Sequence, residues 1–367
     1  MIDGSIFGKN FKVSTFGESH GEALGVVIDG CPSELEIDEV RIRYELDRRK
    51  PGQSKLVTPR KENDDYQILS GVFEGRTTGA PIGVIFPNSD VRSKDYSDIK
   101  DLFRPGHADY TYFSKYGHRD YRGGGRSSAR ETVARVFAGA IARQILATWG
   151  VVIRGGLIQI GKVKALKHDW ENVESNLVRS LDPDVADQMI KEVEDARKSR
   201  NSVGGLLYLE AVGVKEGLGE PVFQKLNAAL GAAMFSIPAV RGVEIGSGFS
   251  VVESTGIENN DEMSSNGFLT NNHGGILGGI SSGEAIQLKV AIKPTSSVPT
   301  PQKTVDVDNV DQTVSTKGRH DPCVAIRAVP IAEAMMALTL VDFMIESLGR
   351  DALKQAFAPT MKSSKRN

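Results

Sequence analysis

A chain of 367 residues, 40% hydrophobic and 25% charged, has the composition of a folded globular protein, with length for one large domain or two ordinary ones. Its formal net charge of −2 argues against a dedicated nucleic-acid binder, and Cys31 and Cys323 are too few for a disulfide framework or a thiolate metal site. No apolar run approaches about 18 residues and no charged-then-apolar signal opens the chain, so a cytoplasmic location without membrane association is expected.

Residues 11–15 alternate apolar and polar, which predicts a strand, and residues 24–28 predict the next, closed by Asp29-Gly30. His20 falls in the turn between them, where Ser19 and Glu18 could orient its ring for acid–base work. A solvent-exposed loop histidine is the plainer alternative. Residues 37–49 predict a helix that ends in the cationic run DRRKPGQSK, which taken alone is a solvated helix C-terminus. Short strands are expected at 68–73 and 82–86, and a helix from about 128 to 149. Then come a strand at 151–160, helices at 169–180 and 183–200, a strand at 202–214 and a helix at 220–235. Strands at 240–249 and 284–292 precede a last helix at 330–348 with Gly349 as its stop, and a tail from about 360 to 367 that should fray.

The most chemically loaded stretch is 104–131, RPGHADYTYFSKYGHRDYRGGGRSSARE, rich in arginine and holding two of the six histidines. Ser128 and Glu131 have the spacing of a capping box ahead of a helical apolar pattern: Val133, Val136, Phe137, Ala140, Ile141 and Ile145. The glycines at 123–125 let backbone approach a ligand, while Arg122, Arg126 and Arg130 supply charged donors. Together they predict a site for phosphate or another anion, against the plainer alternative of a solvated basic loop.

Residues 263–283 are glycine-rich with Ile276, Leu277 and Ile280 inside, so a packed loop with backbone near a ligand is expected, His273 being orienting or structural. Lys293-Pro294-Thr295-Ser296-Ser297 follows a strand end with donors for a phosphate or heterocycle. Arg319-His320-Asp321 packs a cation, an imidazole and a carboxylate into one turn. Neither a dinucleotide-binding nor a P-loop glycine pattern is present. The irregular alternation of elements, with hairpin-like pairs, predicts a mixed α/β protein with antiparallel sheets. On residues alone this is an enzyme for a phosphorylated or multiply anionic substrate. His20 and His107 are its acid–base candidates, Arg122, Arg126 and Arg319 hold charge with the cap at Ser128, and Asp321 moves a proton or orients a base.

FGESHG at 16–21, RPGHAD at 104–109, KYGHRDYRGGGRSSARET at 115–132, ILGGISSG at 276–283, KPTSS at 293–297 and RHDPC at 319–323 resemble chorismate synthase, in the right order from residue 7 to about 348. The resemblance implies one domain over residues 1–367, a β-α-β sandwich with helices between two antiparallel sheets, assembled as a homotetramer. It implies a lyase at the last step of the shikimate pathway, which makes chorismate from 5-enolpyruvylshikimate 3-phosphate by 1,4-anti elimination of phosphate and a ring proton, using reduced FMN without net redox change.

Carried over by position, His20 protonates the departing phosphate, His107 protonates the reduced flavin, Asp321 takes up the ring proton, and Ser19 and Ser128 relay protons. Arg126, Ser127, Ser128, Ala239, Gly278, Lys293, Pro294, Thr295, Ser296, Ser297 and Arg319 match flavin-contacting positions. Arg49 matches an NADPH-contacting position, Arg48 and Arg104 suit substrate anions, and no metal is implied. Lys55 stands where many members have arginine, and Pro238 where some have asparagine. No large insertion of the bifunctional type is present, so an external flavin reductant is expected. A flavin-linked NAD(P)H oxidoreductase and a flavin-independent phosphatase remain the alternatives. An RNA-binding role for YRGGGR is disfavoured by its single copy and the negative net charge.

Overall fold

Period-two patterning sets the sheets. Strand Ile286–Ile292 buries Ile286, Leu288, Val290 and Ile292 and turns the residues between them outward, and strand Ala23–Asp29 buries Leu24, Val26 and Ile28. The computed structural model describes residues 4–58, 62–88, 99–316 and 320–357, with backbone alone for 350–357. One sheet runs, in spatial order, Ile6–Phe7, Lys12–Gly17, Ala23–Asp29, Ile82–Pro87 and Gln67–Ile68, every pair antiparallel. The other runs Val240–Ile245, Ile286–Ile292, Gly205–Val212, Val152–Ile160 and Val163–Lys164, again antiparallel throughout.

Helices fill the space between. Thr132–Ala147 packs on Lys12–Gly17 and Ala23–Asp29 of the first sheet and against Ala325–Phe357, which packs in turn on Val152–Ile160 and Gly205–Val212 of the second. Both helices are apolar nearly all round, as a helix buried on every side must be. Where they cross, Gly139 is required: a Cβ there would lie 2.4 Å from Ala334 Cβ. One apolar core runs from Phe11 and Ile28 through Phe137 and Met336 to Leu288. The sandwich expected from the resemblance is the observed architecture.

Several local expectations give way to tertiary context. The last helix does not begin at Pro330 or stop at Gly349; it spans Ala325–Phe357 with Pro330 inside. A proline lacks the N–H that would reach the carbonyl four residues back, and that carbonyl, Ile326 O, instead accepts Arg179 Nη1 at 2.9 Å. The segment Ala325–Gly349 has the length and apolar composition of a membrane span. Of its most apolar window 89% is buried inside the fold, the place of a core helix.

Residues 169–180 do not form a helix beyond the single turn Val173–Ser175. Asp169 accepts from Glu171 N at 3.1 Å and Asn172 Nδ2 at 2.8 Å, and the Asn176 amide bonds to backbone at both ends of the segment. Such local side-chain bonds compete with the helical ladder. The expected strand at 68–73 is broken at Gly71 (φ +81°), the helix expected from 220 begins at Leu226, and the strand from 240 ends at Ile245.

Candidate active site

A cavity of about 880 Å³ opens where the loop before the central helix meets the ends of both sheets. Ser128 does not close the expected capping box. Its Oγ accepts Arg130 N at 3.3 Å and caps a short turn, Ala129–Glu131, from which helix Thr132–Ala147 then grows, while Glu131 reaches forward to Arg135 Nε at 3.0 Å. The effect is to bring the glycine loop over two histidines.

His20 is buried in the turn after Lys12–Gly17, with Ser19 Oγ 3.2 Å from its Nδ1. Gly123, at φ +78°, lies against this pair: a Cβ there would sit 2.6 Å from His20 Nδ1 and 2.8 Å from Ser19 Oγ. Glu18 lines the cavity too, and burial, then the charge of Asp120, pushes its carboxyl above its ordinary value. His107 stands across the loop with Nδ1 2.9 Å from Asp109 Oδ1. That carboxylate also accepts Arg104 Nε at 2.7 Å and Nη2 at 2.8 Å, and Arg119 Nη1 at 3.3 Å. Burial opposes the charge on Asp109, yet its bonds to Arg104 and His107 hold it far below the usual carboxylate range. The same Nδ1 lies 3.2 Å from Arg104 Nη2, so the tautomer sets its partner: protonated at Nδ1 the ring donates to Asp109 and leaves the Nε2 lone pair to handle a proton.

Burial, with Arg104 adding to it, holds the His107 imidazole below its ordinary value despite Asp109. The folded ring binds its proton less readily than the unfolded one. Its neutral form thus contributes stability in full above about pH 6.5, and that contribution is lost as pH falls from there through the depressed folded value. The stability difference between wild type and His107→Asn should shrink between about pH 7.5 and 5 in chemical denaturation; a constant difference would refute the depressed ring.

Asp321 is buried and also lines the cavity. Its Oδ1 accepts Thr58 N at 2.9 Å and its Oδ2 accepts Arg327 Nε and Nη2 at 3.0 and 2.8 Å. A second carboxylate clamp is Asp64, which takes Arg49 Nε at 2.9 Å on Oδ2 and Arg130 Nη1 on Oδ1. Both arginines line the cavity.

The cavity collects His20, His107, Asp321, Arg49, Arg104, Arg126, Ser127, Ser128, Ala239 and the run 293–297. Arg126 is tied back to Thr15 Oγ1 at 2.7 Å, Ala239 holds a left-handed backbone (φ +71°), and Lys293 Nζ donates to Gly106 O at 2.7 Å. Thr295 Oγ1 is buried without a hydrogen-bond partner among the described residues. Ser19 touches His20 without lining the cavity.

Other expected residues lie elsewhere. Arg48 is locked among Glu45, Glu174 and Glu333, Lys55 pairs on the surface with Glu194, and Arg122 forks onto Asp120. Gly278 sits in a hairpin turn, and none of residues 263–283 lines the cavity. His273 there has the structural role, bridging Asp261 and Ser282. Arg319 lies outside the described residues. Asp109, Asp64, Thr58 and Arg327 were missed.

The site is a cavity in a mixed α/β fold that brings two histidines and a buried aspartate together among arginines. The family model Chorismate synthase matches residues 11–345. A solved structure titled "Crystal Structure of Chorismate Synthase" superposes with a TM-score of 0.73 at 28% identity, over 94% of each chain. The chain belongs to the chorismate synthase family, and that membership makes it a lyase.

Proposed function

We propose that this chain makes chorismate from 5-enolpyruvylshikimate 3-phosphate by 1,4-anti elimination of phosphate, with reduced FMN as cofactor. The observation that carries this reading is the convergence of His20, His107 and Asp321 on one cavity walled by the glycine loop and residues 293–297. The lining suits a flavin: Thr295 Oγ1 is a buried donor without a partner among the described residues, and Ser127 and Ser297 add hydroxyls. When bound, reduced FMN supplies a reversible source of negative charge to the allylic system, which no side chain can.

The residues divide the remaining work. His20, with Nδ1 set by Ser19, holds a proton at Nε2 for the departing phosphate. His107, with Nδ1–H fixed on Asp109, moves a proton at Nε2. Asp321, oriented by Arg327 and Thr58 N, receives the ring proton. Arg104 and Arg49 keep positive potential on the wall, although their donors also serve Asp109 and Asp64. A homotetramer belongs to the same reading, supported by the exposed Phe223, Phe249, Val252, Ile257 and Met263.

The test is anaerobic phosphate release from 5-enolpyruvylshikimate 3-phosphate with FMN oxidised or chemically reduced. Release with chorismate formation only in the reduced sample is expected. Release in both points to a phosphatase, and release in neither by folded protein sinks the reading. Turnover with NADPH and oxidised FMN in the dark would remove the need for an external reductant.

A further inference from the structure

The cations that line the cavity are of two kinds. Arg49 and Arg130 share Asp64, Arg104 and Arg119 share Asp109, and Arg135 and Arg327 bond Glu131 and Asp321. Each of these points its donors at protein and lends the cavity its potential alone. Arg126 is tied to Thr15 and to Gly17 O. Two cations remain without an acid. Lys293 Nζ donates to neutral oxygens, Gly106 O at 2.7 Å and Ser296 Oγ. Among the described residues no hydrogen bond or ion pair holds the Arg241 guanidinium, which also lines the cavity.

The strand ladder explains how Arg241 comes to be there. Val240–Ile245 is an edge strand, in which Val240 stands opposite Ile292 and Gly242 opposite Ala291. Arg241 is therefore an extra residue with no partner between them, a bulge, and a bulge re-aims the side chain it carries. Val240 stays buried in the core while Arg241 is exposed on the cavity wall. Ile292 leads directly into Lys293, whose N donates to Ala239 O at 2.9 Å, so both cations start from the same pair of strand ends. Burial, and after it the charge of Arg241, holds the Lys293 ammonium below its ordinary value. Two adjacent cations without an acid are matched by one group with about two negative charges, which a phosphomonoester carries near pH 7. A carboxylate would neutralise only one of them.

We propose that Arg241, beside Lys293, is the contact for the phosphomonoester end of the cavity's ligand, through a guanidinium fork that no protein acid occupies. The phosphate of FMN and that of 5-enolpyruvylshikimate 3-phosphate share this chemistry. The inference rests on the proposed function and adds to it the residue that tells a phosphorylated ligand from its unphosphorylated counterpart.

The test compares each ligand with its dephosphorylated form. Kd is measured for oxidised FMN and riboflavin by flavin fluorescence, and for 5-enolpyruvylshikimate 3-phosphate and 5-enolpyruvylshikimate by calorimetry, with wild type, Arg241→Gln and Arg241→Lys. Both variants should melt with wild type, since the side chain bonds nothing in the described fold. If the corner holds the flavin's phosphate, Arg241→Gln weakens FMN about 10- to 100-fold, the scale of one charge-assisted contact, and leaves riboflavin unchanged. Arg241→Lys keeps the charge without the fork and should restore part of the loss. The same pattern in the shikimate pair, with FMN unaffected, assigns the corner to the substrate's phosphate. Equal weakening of a ligand and its dephosphorylated form, or no weakening of either phosphorylated ligand, overturns the proposal and leaves the proposed function standing. Wild type that binds none of the four overturns both.

Discussion

Asp321→Asn should lower turnover by about 10²–10⁴-fold, the usual worth of a positioned acid or base. It should also cost about 1–3 kcal/mol of stability, because Arg327 is buried and would lose its charged acceptor. The two effects have different causes and can be separated. Asparagine can still accept Thr58 N, so the loop it anchors should keep its place. Adding Arg327→Met removes the stranded charge with a side chain of similar length, so the double variant should regain stability while turnover stays low. Anaerobic single-turnover rates and thermal melts of the two variants are the measurement. If turnover returns in the double variant, Asp321 is a counter-ion to Arg327 and no more.

What the sequence reveals about this site follows from the range of its signals. The strands at 11–15, 24–28 and 284–292 and the helix at 132–147 carry period-two or helical patterns that packing on both faces respects. His20, His107 and the run 293–297 lie in dense strings of reactive and small residues, visible without a partner. The carboxylates that control them are not. Asp109 is one aspartate at the start of a short helix, Asp109–Tyr116, and Asp64 matters through Arg49 and through Arg130, which is 66 residues away in the chain.

Counting arginines therefore overestimated the free positive charge. Arg48 and Arg122 are neutralised by acids that a pattern search treats as surface residues. The helix bounds failed for a related reason. Pro330 and Gly349 are local stop signals, but Arg179 takes over the carbonyl that Pro330 cannot serve, and burial in the core outweighs the rest.

Asp64→Ala should destabilise the fold by about 3–5 kcal/mol, the scale of leaving a buried ion cluster without its counter-charge. Arg49 is fully buried, and burial pulls its guanidinium down to about 10 even with Asp64 against it. Arg130 is buried too, and its Nη1 donates to the same carboxylate. Without Asp64, two guanidinium groups face each other across a cavity wall, with Glu62 3.9 Å from Arg130 as the nearest remaining acid. Residue 64 also has a left-handed backbone (φ +53°), which aspartate tolerates better than alanine and which adds a further part of the loss. Asp64→Asn keeps the backbone preference and one acceptor, so it should lose less than Asp64→Ala in urea unfolding. The triple variant Arg49→Met, Arg130→Met, Asp64→Asn should recover most of the stability, since replacing a whole buried ion cluster with apolar groups is often neutral. It should fail to bind phosphate, because the wall's charge goes with the arginines. A triple variant as unstable as Asp64→Ala would refute the stranded charge as the cause of the loss. Phosphate binding retained in a folded triple variant would remove Arg49 and Arg130 from the anion site.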